Sequence, residues 1–161
     1  MNTIKTALIG IGLVASLPAI ASTDITTTFQ SKIVIVNACT ALSASLLDFG
    51  SQGVLSTDVD QSSAIKVTCT TDALYTVKLD AGANAGTPGD VSTRQMANGP
   101  NFVTYNLYSD APGGLAWDNT TGTSHSGTGT EQTIPVYGRV PAQTTPPAGT
   151  YTDTVTVTLT Y

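Results

Sequence analysis

The sequence is poor in side chains that do chemistry. Its only histidine is His125, its only glutamate is Glu131, and its cysteines are Cys39 and Cys69 alone. His125 is flanked by Ser and Gly, with no GxSxG elbow and nothing nearby to orient its ring, so a nucleophile–His catalyst is disfavoured. With one glutamate, the paired carboxylates of glycoside chemistry would have to be aspartates, and none is suggestively spaced. Asp80, Asn84 and Asp90 share a glycine-rich stretch, but their spacing is not that of an EF-hand. There is no CxxC. Trp117, Tyr105 and Tyr108 could stack on a sugar, though core packing is the commoner use of such rings. The expectation is a protein without metal or cofactor, and not an enzyme. Charge is scarce as well, at 11% of residues. No segment repeats at a fixed period, and no convincing helix is present beyond the first segment.

That first segment has a basic start (Met1–Lys5), an apolar run (Ala7–Leu17) and a small-x-small site (Ala19-Ile20-Ala21). This is the pattern of a secretory signal peptide, residues 1–21, cut after Ala21. The apolar run is too short to span a bilayer comfortably, so no membrane insertion is expected after cleavage. Removing Lys5 from six basic residues leaves five against eleven acidic ones, a net charge near −6. Nucleic acid and anionic membrane are poor partners for such a chain. In an exported protein an even cysteine pair more often forms a disulfide than a metal site or redox centre. Closing a loop of about 30 residues would stabilise the fold by roughly 3–4 kcal/mol in the chain-entropy view.

What the chain does have is β-strand patterning. In Gly149–Tyr161, residues Tyr151, Asp153, Val155, Val157, Leu159 and Tyr161 alternate strictly with threonines. A period of two in β-branched and aromatic residues predicts a half-buried strand. The sequence stops there, which predicts an open sheet edge. At the other end, Ser22–Val36 predicts a long amphipathic strand with Ile25, Phe29, Ile33 and Ile35 on one face. Burying those four side chains is worth on the order of 6–12 kcal/mol gross. Between these ends, strands are predicted over Ala64–Thr70, Leu74–Leu79, Phe102–Tyr108, Leu115–Trp117 and Gln132–Val140, with Leu47 and Phe49 facing inward. A hairpin through Thr71-Asp72 is expected to join the first two. Ser51–Ser63, Asp80–Val91 and Asp118–Thr130 are expected to be loops, and Pro135 to mark a sheet edge or bulge. Seven or eight short strands suit a β-sandwich.

The run Arg94-x-Met96, Tyr105-Asn106-Leu107-Tyr108-Ser109-Asp110, Trp117, Val136-Tyr137-Gly138-Arg139-Val140-Pro141 and Gly149-Thr150-Tyr151-Thr152-Asp153-Thr154-Val155 resembles the spore coat U domain family, which includes subunits of archaic, Csu-type chaperone–usher pili. The earlier half agrees: Leu47-Asp48-Phe49-Gly50 follows the first cysteine, and Val67-Thr68-Cys69 precedes a Tyr-x-Val-x-Leu strand. Asp118 after Trp117, where the family usually has Gly, and Pro112-Gly113-Gly114 depart from the pattern at loop positions. The resemblance implies an all-β, immunoglobulin-like sandwich that lacks its last strand. It also implies a Cys39–Cys69 disulfide, and three divisions: signal peptide 1–21, donor strand 22–36 and sandwich domain 37–161. A periplasmic chaperone would fill the vacancy first. An outer-membrane usher would then exchange it for the arm of another copy or a related subunit, a form of β-strand addition. The protein would pass through the periplasm to a cell-surface pilus supporting adhesion and biofilm formation. Ile25, Phe29, Ile33 and Ile35 become the expected donor side chains, and Tyr151, Val155, Val157 and Leu159 the acceptor edge. The competing expectation is a secreted spore-coat, matrix or carbohydrate-binding sandwich that does not build pili.

Overall fold

The computed structural model describes residues 23–161. The predicted signal peptide lies outside the described residues. The chain divides into two units, Met1–Val34 and Ile35–Tyr161.

In the first unit, residues 23–34 carry no strand or helix, and Ile25, Phe29 and Ile33 are exposed. The expected long strand is therefore not formed. A strand is stabilised by its ladder, and this segment has no ladder partner among the described residues.

The second unit is an antiparallel sandwich. One sheet has the order β1-β2-β8-β6, from β1 (Cys39–Ala44), β2 (Val59–Cys69), β8 (Glu131–Val140) and β6 (Asn106–Tyr108). The other has the order β7-β3-β9, from β7 (Thr123–Ser126), β3 (Leu74–Leu79) and β9 (Val157–Thr160). A small hairpin of β4 (Gln95–Asn98) and β5 (Asn101–Thr104) stands beside them. Alternation decides which side chains face the core. Ile65, Val67 and Cys69 point inward from β2, Tyr75, Val77 and Leu79 from β3, and Ile134, Val136 and Val140 from β8. Val103, Tyr105, Leu107 and Trp117 fill the space between them, as does Phe49, whose ring meets Tyr105 edge-on at 6.3 Å. The burial of Trp117 and Tyr105 leaves no sugar-stacking platform from those rings.

Several expected elements change, each for a physical reason. Thr70–Ala73 is not a hairpin but a crossover between sheets. Both edges of β2 are already taken, by β1 and β8, so β3 must pair elsewhere. The turn is closed by the Ala73 amide on the Thr70 carbonyl, with Asp72 at a φ of 61°. The stretch expected as one strand over 102–108 breaks at Tyr105, because β5 pairs with β4 while β6 pairs with β8. The loop expected at 118–130 contains β7, whose Ser and Thr residues carry no apolar signal. β2 begins at Val59, inside the polar stretch expected to be a loop. Leu115–Trp117 forms only a bridge, Tyr108 to Ala116. Pro135 pairs with Ala64 on one side, and β6 reaches only Tyr137–Arg139 on the other. Its missing N–H therefore falls where the sheet has a local edge.

Candidate functional site: an open groove between two edge strands

β1 ends one sheet and β9 ends the other. Both present an unpaired edge among the described residues, and they flank the same gap. A cleft of about 260 Å³ there is lined by Cys39, Thr40 and Leu42 from β1 and by Leu159 and Tyr161 from the C-terminal segment.

The β1 wall follows from register. Leu42 lies opposite Val67, and cross-strand partners share a face, so Leu42 points to the interior like Val67. Val67 is fully buried, yet Leu42 remains 44% exposed. An inward-facing leucine stays wet because none of the described residues covers it. Cys39 faces Cys69 across the ladder, and a disulfide joins them, fixing the start of this edge strand to its neighbour.

The opposite wall runs further than β9. Thr160 and Thr158 pair with Thr76 and Lys78 of β3, and Leu79 is the last residue of that strand. Beyond it the loop takes over. The Asp80 amide donates to the Thr156 carbonyl at 3.1 Å, the Thr156 amide donates to Asp80 Oδ1 at 2.8 Å, and the Ala83 amide donates to the Thr154 carbonyl at 3.0 Å. Thr152 exchanges both backbone hydrogen bonds with Ala97 of β4. Every even-numbered threonine from 152 to 160 thus directs its backbone toward β3, its loop or β4. By alternation, the amides and carbonyls of Asp153, Val155, Val157 and Leu159 face the groove edge. Side chains alternate too: Tyr151, Asp153, Val155, Val157 and Leu159 are half-buried, while the threonines between them are exposed. Tyr151, Val155, Val157 and Leu159 pack against the core without being covered by it.

A buried polar frame sits behind this wall. Arg94 is 1% exposed, and its guanidinium donates to the carbonyls of Leu79, Asp80 and Trp117 at 2.6–3.2 Å. Burial pulls its pKa down, and the nearby Tyr105, Asp80, Asp153 and Asp118 oppose that shift. The Trp117 indole donates to the Val77 carbonyl at 3.0 Å. The Tyr105 hydroxyl donates to Asp153 Oδ2 at 2.7 Å, and Asp153 Oδ1 accepts from the amide and side chain of Asn84. Burial and the Asp153 carboxylate push the Tyr105 phenol strongly upward, so it stays a donor. Gly82 is required here. Its φ is +82°, and a Cβ would collide with the Asp153 carboxylate.

The donor-side residues of the sequence analysis are all exposed: Ile25 99%, Phe29 89%, Ile33 82% and Ile35 73%. Leu42 and the β1 wall were missed by sequence reasoning. The signal that could have found it is the Leu42/Ala44 alternation, which is short and set among serines. His125 stacks on Tyr75 at 5.4 Å with Thr123 Oγ1 beside its Nε2. Among the described residues, no cluster of three or more His, Cys, Asp or Glu side chains could hold a metal.

These features define a β-sandwich with an open cleft between two edge strands. The model of the Spore Coat Protein U domain matches residues 25–158, and the chain belongs to that family. Protein U of Myxococcus xanthus is 32% identical over the full length of both chains. The fold is an antiparallel, immunoglobulin-like β-sandwich. It resembles the crystal structure of the CsuC–CsuE chaperone–tip adhesion subunit pre-assembly complex from the archaic chaperone–usher Csu pili of Acinetobacter baumannii, with a TM-score of 0.57 and 23% identity. That match covers 79% of this chain and 40% of the other.

Proposed function

We propose that this protein is a structural, non-enzymatic subunit of an archaic chaperone–usher pilus, polymerising by donor-strand exchange. One observation carries this: the same chain exposes both an apolar-faced, unpaired arm and an open groove with an inward leucine left uncovered. Each is unfavourable alone, and each supplies what the other lacks. Ile25, Phe29, Ile33 and Ile35 of one copy fill the gap between β1 and β9 of the next. The arm's backbone pairs with the edge formed by the Tyr151, Val155, Val157 and Leu159 strand. Backbone pairing gives affinity, and the alternating side chains set register.

Before assembly, a periplasmic chaperone covers the groove; the solved relative being a chaperone–subunit complex supports this partner. An outer-membrane usher then exchanges chaperone for arm. The chain is exported, with residues 1–21 removed, and ends in a surface pilus that serves adhesion and biofilm formation.

The test moves residues 22–36 from the front of the chain to a short flexible linker after Tyr161. Light scattering should find the graft monomeric, and thermal unfolding should find it much more stable, while the parent chain forms heat-resistant multimers. Two monomers of equal stability would refute donor-strand assembly and favour a secreted spore-coat or matrix role.

A further inference from the structure

β9 spans only four residues, too short an edge to hold the arm of a second copy in register. The segment before it has the right shape, but β3 ends at Leu79, and beyond it only the Thr152–Ala97 bridge to β4 offers a strand partner. In an ordinary ladder the Thr156 amide would donate to the Asp80 carbonyl. That carbonyl is taken by Arg94, whose Nε and Nη2 lie 3.0 and 2.6 Å away. The Asp80 carboxylate replaces it, accepting from Thr156 at 2.8 Å and from Gly82 at 2.9 Å. Asp153 acts three residues earlier. Its two oxygens are held by Tyr105 and Asn84, and Asn84 Nδ2 also reaches the Thr152 carbonyl at 3.2 Å.

We infer that Asp80 and Asp153 are positioning residues that keep Thr152–Thr156 extended in the donor-free subunit, so that an incoming arm meets one continuous edge from Asp153 to Tyr161. Such an edge is roughly 26 Å long at about 3.3 Å per residue. Neither carboxylate touches the arm. Each acts through the strand it holds, by removing the ordering cost that the arm would otherwise have to offset on binding. This rests on the donor-strand reading above and assigns it two residues outside the groove.

The test uses the chain from Ser22 with Phe29→Asp, so that its own arm does not compete, and a labelled peptide of residues 22–36. Asp80→Ala should slow peptide association about tenfold and leave dissociation nearly unchanged. Asp80→Asn keeps an acceptor oxygen in place and should restore association. A merely structural loss would not be rescued in this rate-selective way. Without peptide, hydrogen exchange in Asp80→Ala should accelerate at Thr156 and its neighbours but not in β2 or β8. Equal association by all three forms overturns the inference alone, as does exchange that rises uniformly. A peptide that binds none of them overturns the donor-strand reading and the inference with it.

Discussion

Phe29 offers the sharpest quantitative test of groove filling. It is 89% exposed, so the subunit's own fold gains almost nothing from its ring. Seated in the groove, the ring would leave water and contribute about 1.5–3 kcal/mol. Truncation to alanine should therefore weaken a 22–36 peptide roughly 10- to 150-fold. Thr28→Ala, on the opposite face of the arm, should change affinity by less than about twofold, as an exposed surface substitution does. On the groove side, Leu42→Ala removes an inward side chain that only an incoming strand would cover. Its loss should be of similar size, and non-additive with Phe29→Ala if the two side chains meet. Fluorescence anisotropy with the chain from Ser22 carrying Phe29→Asp as acceptor measures each peptide affinity, and thermal unfolding confirms that the acceptors fold. Equal losses for Phe29→Ala and Thr28→Ala would refute the facing assigned to the arm. Full affinity in Leu42→Ala would refute β1 as the second wall.

Arg94→Met should destabilise the domain by at least about 3 kcal/mol, because the buried carbonyls of Leu79 and Trp117 and the part-buried carbonyl of Asp80 lose a charged donor at once; chemical denaturation measures it. Burial raises the Asp80 carboxyl, but the Thr156 and Gly82 hydrogen bonds and the Arg94 charge outweigh it and hold the group below its ordinary value. With the folded pKa below the unfolded one, this contribution is present above the unfolded pKa and is lost as pH falls through the folded value. Asp80→Asn should therefore lower stability at neutral pH and flatten the acid limb of a stability–pH curve below about pH 4, because the variant lacks the contribution that protonation removes from the parent. Replacing Cys39 and Cys69 together by serine should cost about 3–4 kcal/mol in denaturant midpoints, and a parallel peptide titration should show a weakened groove because β1 loses its tether.

The parts of the fold legible in sequence were those with a strong period. The alternation matches the burial from Tyr151 to Thr160 and fails at Tyr161, which is exposed, while β3 falls at the expected Leu74–Leu79. Val103, Tyr105 and Leu107 face inward as their spacing implies, although two ladders share that stretch. What stayed hidden was pairing. Nothing in Thr123-Ser124-His125-Ser126 marks a strand, because β7 is an edge held by backbone bonds and buries little. Nor does the spacing between β2 and β3 reveal that they belong to different sheets. Only the occupancy of both β2 edges decides it.

The same distinction explains which residues carry the resemblance to the family. The side chains of Arg94, Tyr105, Trp117 and Asp153 do not line the cleft. They form the polar frame that fixes where the chain leaves β3 and how the final strand is hung from it. The groove walls themselves need only be apolar, of suitable volume and correctly alternating, so Leu42, Val155, Val157 and Leu159 could be exchanged for similar side chains at small cost. The frame has no such freedom. A buried guanidinium needs its three carbonyls, the Asp153 carboxylate needs the Tyr105 donor, and Gly82 must stay without a side chain to admit it. On the donor-strand reading, a subunit that must keep an edge open yet ordered would place its strictest chemical requirements in side chains behind that strand, away from the incoming arm.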